Sequence, residues 1–119
     1  MIKLVIPAIP PSNNKFLGNS HSYRPYLTAK EEWHWMIRAA LLRSGRKPQA
    51  PLSRVVVELC YFFPDSRRRD PDNYSGKFIL DALVREGVLV DDSFDCITLR
   101  LTAKVDKEQP RTEIEIKEM

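Results

Sequence analysis

A run of charged residues in the middle of the chain has the composition of a phosphodiester-cleaving site. It comprises Arg67, Arg68, Arg69, Asp70, Pro71, Asp72 and Asn73, and it is followed by Lys77, Asp81, Asp91 and Asp92. Magnesium prefers carboxylate oxygens and keeps several waters, so a few aspartates that reach one point can hold it. A bound Mg²⁺ supplies a hydroxide nucleophile and stabilises the charge of the phosphate and of the leaving oxygen. The run therefore indicates Mg²⁺-dependent phosphodiester hydrolysis, with Mn²⁺ as a substitute metal.

The basic residues of this run fit the same chemistry. Arginine forks match phosphate oxygens bidentately, which suits Arg67, Arg68 and Arg69 to DNA binding. Lys77 lies seven residues after Asp70 and could stabilise the charge of the phosphate during cleavage.

Each of these residues also has a purely structural explanation. Asp70 before Pro71 is a favourable helix N-cap, and a carboxylate in the first turn, as at Asp72, is stabilised by the helix dipole. Asp91 and Asp92 are followed by Ser93, which is ordinary turn composition. Three arginines often form no more than a solvated loop, and Lys77 can pair with Asp81 on a helix surface.

The N-terminal segment offers a second set of groups that suit nucleic acid. Asn13, Asn14, Lys15 and Arg24 are candidate DNA contacts, and they are interleaved with the aromatic residues Phe16, His21, Tyr23 and Tyr26. Rings of this kind stack on unpaired bases while cations hold the backbone. The alternative is a mobile loop that carries a few aromatic side chains.

These segments are positioned by six predicted elements. Alternation and β-branched content predict strands over 1–6, 54–63, 97–105 and 112–117. A helix is expected from Thr28, with a capping box to Glu31, to Ser44, and a second from Pro71 to Gly87. Residues 7–27 are expected to form a long loop, and the last two strands a hairpin. The order βαβαββ predicts an α+β fold, one mixed sheet of about four strands with two helices packed on it.

Length and composition restrict the class of protein further. A chain of 119 residues, 43% hydrophobic and 29% charged, fits a single globular domain over 1–119. It contains no apolar run of about 20 residues, so we expect no membrane association and a cytoplasmic location. Residues 1–60 carry nine Lys/Arg against three Asp/Glu, whereas residues 61–119 carry ten against thirteen. A basic half suited to phosphates thus precedes an acidic half suited to cations.

The chain resembles the RusA-type Holliday-junction resolvases along almost its whole length. The resemblance rests on the loop Pro10-Pro11-Ser12-Asn13-Asn14, the run 68–73, Lys77, the segment 81–83, Gly87 and the pair Asp91-Asp92. It implies a homodimer that binds branched DNA, nicks a four-way junction symmetrically with Mg²⁺, and needs no organic cofactor. One residue more than expected lies between Asn73 and Asp81, which leaves the helical phase of Lys77 open.

The resemblance also implies roles for individual residues. Asp70, Asp72 and Asp92 correspond to catalytic metal ligands, with Asp91 assisting, and Lys77 corresponds to the catalytic lysine. Two other functions are weighed against this one. The first is a structure-specific nuclease that prefers flaps or forks, and the second is a branched-DNA-binding module in which the aspartates only cap helices and turns.

Overall fold

A computed structural model describes residues 1–16 and 23–119 and shows an α+β fold. The strands are β1 (Ile2–Ile6), β2 (Val55–Phe63), β3 (Ile97–Val105) and β4 (Arg111–Glu118). The helices are α1 (Tyr23–Ser44) and α2 (Lys77–Arg85), and the segments Asn13–Phe16 and Pro71–Asn73 form short 3₁₀ helices. The predicted order βαβαββ and the single mixed four-stranded sheet are confirmed. No helix among the described residues has the length and hydropathy to cross a bilayer.

The strands lie side by side in the order β1-β4-β2-β3. Strand β4 runs antiparallel to both neighbours, so that Ile114 pairs with Leu4 on one side and with Leu59 on the other. Strand β3 runs parallel to β2. The predicted hairpin between β3 and β4 is therefore wrong. The turn after β3 crosses the end of β2, where the Asp106 N–H donates to the Phe63 carbonyl at 2.8 Å, and β4 enters the sheet beyond it.

Both helices pack on the same face of the sheet. On β2 every second side chain is buried, and on β1 and β4 the buried side chains alternate in the same way. Helix α1 packs on β1 and on α2, and it contributes the apolar stripe predicted for it, including Trp33, Ile37 and Leu41. The core thus lies between the helices and the strands β1, β4 and β2.

Helix α1 begins five residues earlier than the sequence indicates. It starts at Tyr23 rather than Thr28, so residues 23–27 are helical and not loop. Pro25 had argued against a helix here, but it lies in the first turn, where the backbone N–H has no acceptor in any helix. The predicted capping box is also absent, since Glu31 instead accepts from the Arg85 guanidinium at 2.7 Å. The rest of the predicted loop, residues 17–22 with His21, lies outside the described residues.

Helix α2 begins six residues later than predicted. Pro71 opens only the 3₁₀ helix, and α2 starts at Lys77. Between them Gly76 adopts φ +84°, a left-handed conformation that L side chains rarely adopt. A Cβ at this position would also lie 2.4 Å from Leu59 Cδ1. Gly76 therefore breaks the helix and lets the chain pass close to β2, and this places Lys77 as the first residue of α2.

Strand β3 is less buried than its alternation predicts. Of the five side chains expected to face the core, only Ile97 is buried, Leu99 and Leu101 are half-buried, and Ala103 and Val105 are exposed. The cause is its place at the edge of the described sheet, where β2 is its one neighbouring strand. At its start, Ile97 and Leu99 line the same hollow as Leu80 of α2. An apolar row on a parallel edge strand is unusual, because parallel strands are normally covered.

Candidate active site

The arginines of the central run are divided between structure and solvent. The Arg69 guanidinium lies over the Phe63 ring at 4.2 Å and contacts the Asp65 carboxylate at 2.8 Å, which leaves its side chain 18% exposed. The side chains of Arg67 and Arg68 are 83% and 88% exposed. Two of the three predicted phosphate-binding cations therefore face solvent, whereas Arg69 shapes the loop that carries them.

Asp65 is the anchor of this loop. The Arg67 backbone N–H donates to its Oδ1 at 3.1 Å, and the Arg69 guanidinium contacts the same oxygen at 2.8 Å. These contacts, the Arg67 N–H first and the Arg69 guanidinium after it, lower the pKa of Asp65 from its usual value. The sequence analysis missed Asp65, although an aspartate two residues before a turn amide is a common Asx-turn pattern.

Asp70 has a carboxylate that helix capping does not use. The residue occupies the N-cap position of the 3₁₀ helix Pro71–Asn73, but its side chain makes no capping hydrogen bond with any described residue. It is half-exposed and accepts from Arg68 Nε at 3.2 Å. Asp72 lies in the first turn of the same 3₁₀ helix and is exposed. The two carboxylates are thus presented by one short turn, accessible to a ligand.

Asn13 fastens the N-terminal segment to this turn. Its Nδ2 donates to the Asp72 carbonyl at 2.9 Å and to the Ser75 Oγ at 3.0 Å. A residue predicted to contact DNA therefore has its amide engaged within the protein. Asn14 and Lys15, beside it, are exposed.

Arg24 and Lys15 line an open groove between the N-terminal segment and the first turns of α1. Arg24 itself is exposed. Two cations of the N-terminal half therefore share one surface. Lys15 lies in the same 3₁₀ helix, Asn13–Phe16, as the Asn13 that contacts the Asp72 turn.

The aromatic residues of the N-terminal segment have two different environments. Phe16 and Tyr26 pack edge-on at 5.5 Å, and both contact Phe78 of α2, at 5.9 and 5.3 Å. These two rings join the segment to both helices and are only partly accessible for stacking on bases. Tyr23 remains exposed at the start of α1.

Lys77 begins α2 and forms the surface pair that its spacing allows. Its Nζ lies 3.8 Å from Asp81 Oδ2, and its side chain is more than half exposed. A cation in the first turn of a helix is disfavoured by the helix dipole. Asp81, one turn later, offsets that cost by pairing with the ammonium.

Asp91 and Asp92 differ in what their carboxylates contact. The Asp91 carboxylate accepts the Asp92 backbone N–H at 2.9 Å, which is the bond expected of a turn. Asp92 is exposed and lines a hollow beside Leu80 and Phe94. Asp92, which the resemblance favours as the catalytic member of the pair, is thus the one that lines a hollow. Phe94, which the sequence analysis did not select, is fully exposed there.

The carboxylates form two groups rather than one cluster. Asp70 and Asp72 precede α2, and Asp91 and Asp92 follow it. Among residues 1–16 and 23–119, no three Asp, Glu, His or Cys side chains lie close enough together to hold a metal ion. The donors are exposed aspartate oxygens, which is the chemistry that Mg²⁺ prefers. No three of the described carboxylates therefore converge on one point.

A second hollow connects the Asp70 turn with the edge of the sheet. It is lined by Asp70, Pro71 and Tyr74 on one side and by Leu101 and Ala103 of β3 on the other. Its floor includes Tyr61, whose hydroxyl is buried without a hydrogen-bond partner among the described residues, and burial raises the pKa of this phenol. Both aspartate groups therefore border the apolar row of β3.

Comparison with known proteins places this arrangement in a family. No curated protein matches the chain closely enough to count as a relative. Residues 7–117 match the family described as endodeoxyribonuclease RusA, and this span includes both aspartate groups, the arginine loop and Lys77. Members of that family are metal-dependent nucleases that act on branched DNA junctions. Because the match covers nearly the whole of a 119-residue sequence, this chain belongs to the RusA endodeoxyribonuclease family.

Proposed function

We propose that this protein resolves Holliday junctions by paired symmetric nicks and uses Mg²⁺ to hydrolyse the phosphodiesters. The observation that carries the proposal is the turn of Asp70 and Asp72, in which two accessible carboxylates stand beside the exposed Arg68 and precede the exposed Lys77 at the start of α2. Phosphodiester hydrolysis needs carboxylate oxygens that can bind a metal ion and cations that can bind the phosphate.

Asp70, Asp72 and Asp92 would hold the metal, with Asp91 assisting through its turn contact. When bound, Mg²⁺ supplies a nucleophilic hydroxide and charge stabilisation, and Mn²⁺ can take its place. Lys77 stabilises the charge that develops on the phosphate oxygens. It is available for this role because its ion pair with Asp81, at 3.8 Å with the lysine side chain more than half exposed, is a weak surface pair.

The remaining predicted DNA contacts divide into binding and positioning residues. Arg67 and Arg68 are exposed and bind phosphates beside the cut, whereas Arg69 keeps their loop in place. Asn14, Lys15 and Arg24 bind the backbone farther along. Asn13 positions the Asp72 turn.

A homodimer follows from the same proposal, since paired nicks in a two-fold symmetric junction need two equivalent sites. We assign the second copy to the apolar row of β3. Leu99, Leu101, Ala103 and Val105 form this row, and Phe94 lies exposed beside its start. Both aspartate groups border it, so a copy bound here would set the two active sites side by side.

The first experiment is cleavage of a synthetic four-way junction by the wild type and by Asp70→Asn, each with Mg²⁺ and with EDTA. We expect paired nicks from the wild type with Mg²⁺ alone, and none from Asp70→Asn. Junction binding by the variant should be unchanged or tighter, because a negative charge near phosphates is lost. Asp95→Asn, at an exposed aspartate outside the two groups, is the matched control and should cut normally.

Other outcomes would support other functions. Cleavage of matched flaps but not of junctions would identify a flap nuclease. Tight junction binding without cutting, under any metal, would identify a binding module. Full activity in Asp70→Asn would overturn the assigned site.

The dimer has its own test. Phe94→Arg should produce monomers in sedimentation and replace paired nicks by single nicks, because it puts a charge into the apolar face. Val5→Arg, at an exposed apolar residue of β1, is the control. A dimer that survives both Phe94→Arg and Leu101→Glu would show that the copies meet elsewhere.

A further inference from the structure

The outer face of helix α1 carries apolar side chains at the spacing of a helix–helix seam. Trp35, Ala39 and Leu42 are all exposed, on the side of α1 that faces away from the core. The side chains of Trp35 and Leu42 are 56% and 75% exposed. Their separation of seven residues puts them on one side of the helix, about 10 Å apart along its axis. Exposed apolar side chains repeated at this interval mark a surface on which another helix packs.

The charges along this face differ between its two ends. Glu31 and Glu32 lie one turn before Trp35, whereas Arg43 and Arg46 come after the seam, and all four residues are exposed. Glu32 and Arg43 are eleven residues apart, which places them within about 20° of each other around the helix. They therefore flank the seam on the same side, with the acid at the N-terminal end and the cation at the C-terminal end.

Two other charges of α1 are already paired with α2. Glu31 accepts from the Arg85 guanidinium at 2.7 Å, and Arg38 lies 4.0 Å from the Glu86 carboxylate. The Arg38 guanidinium also lies 5.3 Å from the Trp35 ring and restricts its motion. An aromatic ring that is already ordered loses little conformational entropy on binding.

This face is complementary to itself when two copies of α1 run antiparallel. With a twofold axis midway between Trp35 and Leu42, the tryptophan of each copy faces the leucine of the other. Ala39, which lies beside the axis, is small enough for the helices to approach closely. Glu32 then lies about 3 Å along the axis from Arg43 of the other copy, on the same flank. The twofold axis repeats each contact, and the antiparallel helix dipoles also attract.

We propose that the outer face of α1 binds the same face of a second copy of this chain as an antiparallel helix pair. A parallel pair would set Glu32 against Glu32, and DNA would set its phosphates against both glutamates. The surface is separate from the proposed dimer face, because α1 packs on β1, at the opposite edge of the sheet from β3. The contact is small and belongs to the weak class of interfaces, so it forms at high protein concentration.

The first test is sedimentation over a concentration series, with the wild type and with Phe94→Arg. At low concentration each keeps the mass set by the β3 face. At high concentration we expect Phe94→Arg to pass from one copy to two, and the wild type to rise above its own starting mass. Trp35→Ala and Leu42→Ala should each weaken this association about tenfold, the size of a hot-spot loss. Val5→Ala, at an exposed apolar residue of the sheet, should associate normally.

Charge reversal tests the antiparallel register. Glu32→Arg alone and Arg43→Glu alone each put like charges opposite each other twice, and neither variant should associate. An equimolar mixture of the two variants should associate, because both ion pairs are then restored between unlike copies. The mixture is its own control for folding, since it contains only the chains that fail separately.

The emission of Trp35 gives a second readout. Trp35 is exposed and Trp33 is buried, so association should shift the Trp35 emission to shorter wavelength and protect it from acrylamide. Junction cleavage by Trp35→Ala and Leu42→Ala at low concentration should equal that of the wild type, because neither residue belongs to the proposed active site.

Several results would overturn the proposal. They are a constant mass at all concentrations, an association that survives both Trp35→Ala and Leu42→Ala, or a mixture of the charge-reversal variants that stays unassociated. Protection of Trp35 by duplex DNA at low protein concentration would assign the face to DNA instead. None of these results depends on whether the protein cuts junctions or on whether the β3 face forms a dimer.

Discussion

The two aspartate groups lie at opposite ends of α2 and are built in different ways. Before α2, contacts from distant parts of the chain fix the Asp72 turn. Asn13 donates to its carbonyl from 59 residues away, and Gly76 lies directly on Leu59 of β2. After α2, long-range bonds flank the segment, from the Val90 N–H to the Leu52 carbonyl and from the Val55 N–H to the Cys96 carbonyl. Between them the described bonds are short-range, such as the one from the Asp92 N–H to the Asp91 carboxylate.

This difference bears on the metal site that we propose, which would draw ligands from both groups. The turn of Asp70 and Asp72 has its shape before any ligand arrives, whereas the segment of Asp92 has fewer constraints and borders an open hollow. We expect the first group to be preset and the second to move towards it when metal and DNA bind. Local segments of low stability are the ones that move on binding.

The largest effect on cleavage is expected at Asp92, in the segment after α2. Asp92→Asn should reduce junction cleavage at least about a hundredfold, the loss typical of removing one group that stabilises transition-state charge. Asp91→Asn should lose much less, because an asparagine oxygen can still accept the Asp92 N–H. Single-turnover cleavage at saturating enzyme measures both. A greater loss in Asp91→Asn would reverse the assignment of the pair.

The next largest effect is expected on stability, at Gly76, which lies between the Asp72 turn and α2. Gly76→Ala should lower the free energy of unfolding by about 2–4 kcal/mol, because it combines a strained left-handed residue with a clash against Leu59. Gly87 is the matched control, since it has φ +76° but no described atom within 4 Å of its Cβ. Gly87→Ala should cost only the backbone strain, about 1–2 kcal/mol. Urea unfolding of both variants gives the difference, and equal losses would mean that contact with β2 contributes nothing.

A smaller effect is expected at the N-terminal segment. Asn13→Ala removes two hydrogen bonds to the turn and should lower the free energy of unfolding by about 1–2 kcal/mol, with weaker cleavage. Asn14→Ala should leave stability unchanged and weaken only junction binding, since Asn14 is exposed. Unfolding and gel-shift measurements on the pair separate positioning from binding. Equal stability of the two variants would remove the argument that Asn13 fixes the turn.

The smallest effect is a pH dependence of the arginine loop. The pKa of Asp65 is lowered in the folded protein by the Arg67 N–H and then by Arg69. A lowered folded pKa means that the carboxylate stabilises the fold above its unfolded pKa, near 3.8, and that this contribution is lost as the pH falls through the folded value. The melting temperature of the wild type should therefore fall more steeply below about pH 4 than that of Asp65→Asn. Parallel curves would show that the loop does not depend on this ion pair.

The sequence was sufficient for what depends on local pattern. It predicted the order of the elements, the buried face of α1, and the presence of an acidic and basic run between β2 and α2. It also supported family membership, which the match over residues 7–117 confirms. The roles of Asp70, Asp72, Asp92 and Lys77 stay predictions until the variants above are measured.

The errors share a physical cause, which is that pairing and backbone geometry depend on distant residues. Alternation in β3 and β4 indicates two strands but not which strand lies beside each, so the hairpin was wrong. Pro71 favoured a helix that starts at that residue and Pro25 favoured a loop, and both predicted helix starts were misplaced as a result. The break at Gly76 depends on the packing of Leu59, seventeen residues earlier in the chain, and no local pattern contains that contact.

The position of β4 has a consequence for synthesis on the ribosome. Strand β1 is made first, yet its only partner within the described sheet is β4, residues 111–118. Pairing across so long a separation in sequence slows folding. The sheet therefore closes only after β4 leaves the ribosome tunnel, and nascent chains that stop short of it lack the strand between β1 and β2. We expect such truncated chains to be unfolded and unable to cut DNA, so that all of β4, to residue 118, must be made before an active nuclease forms.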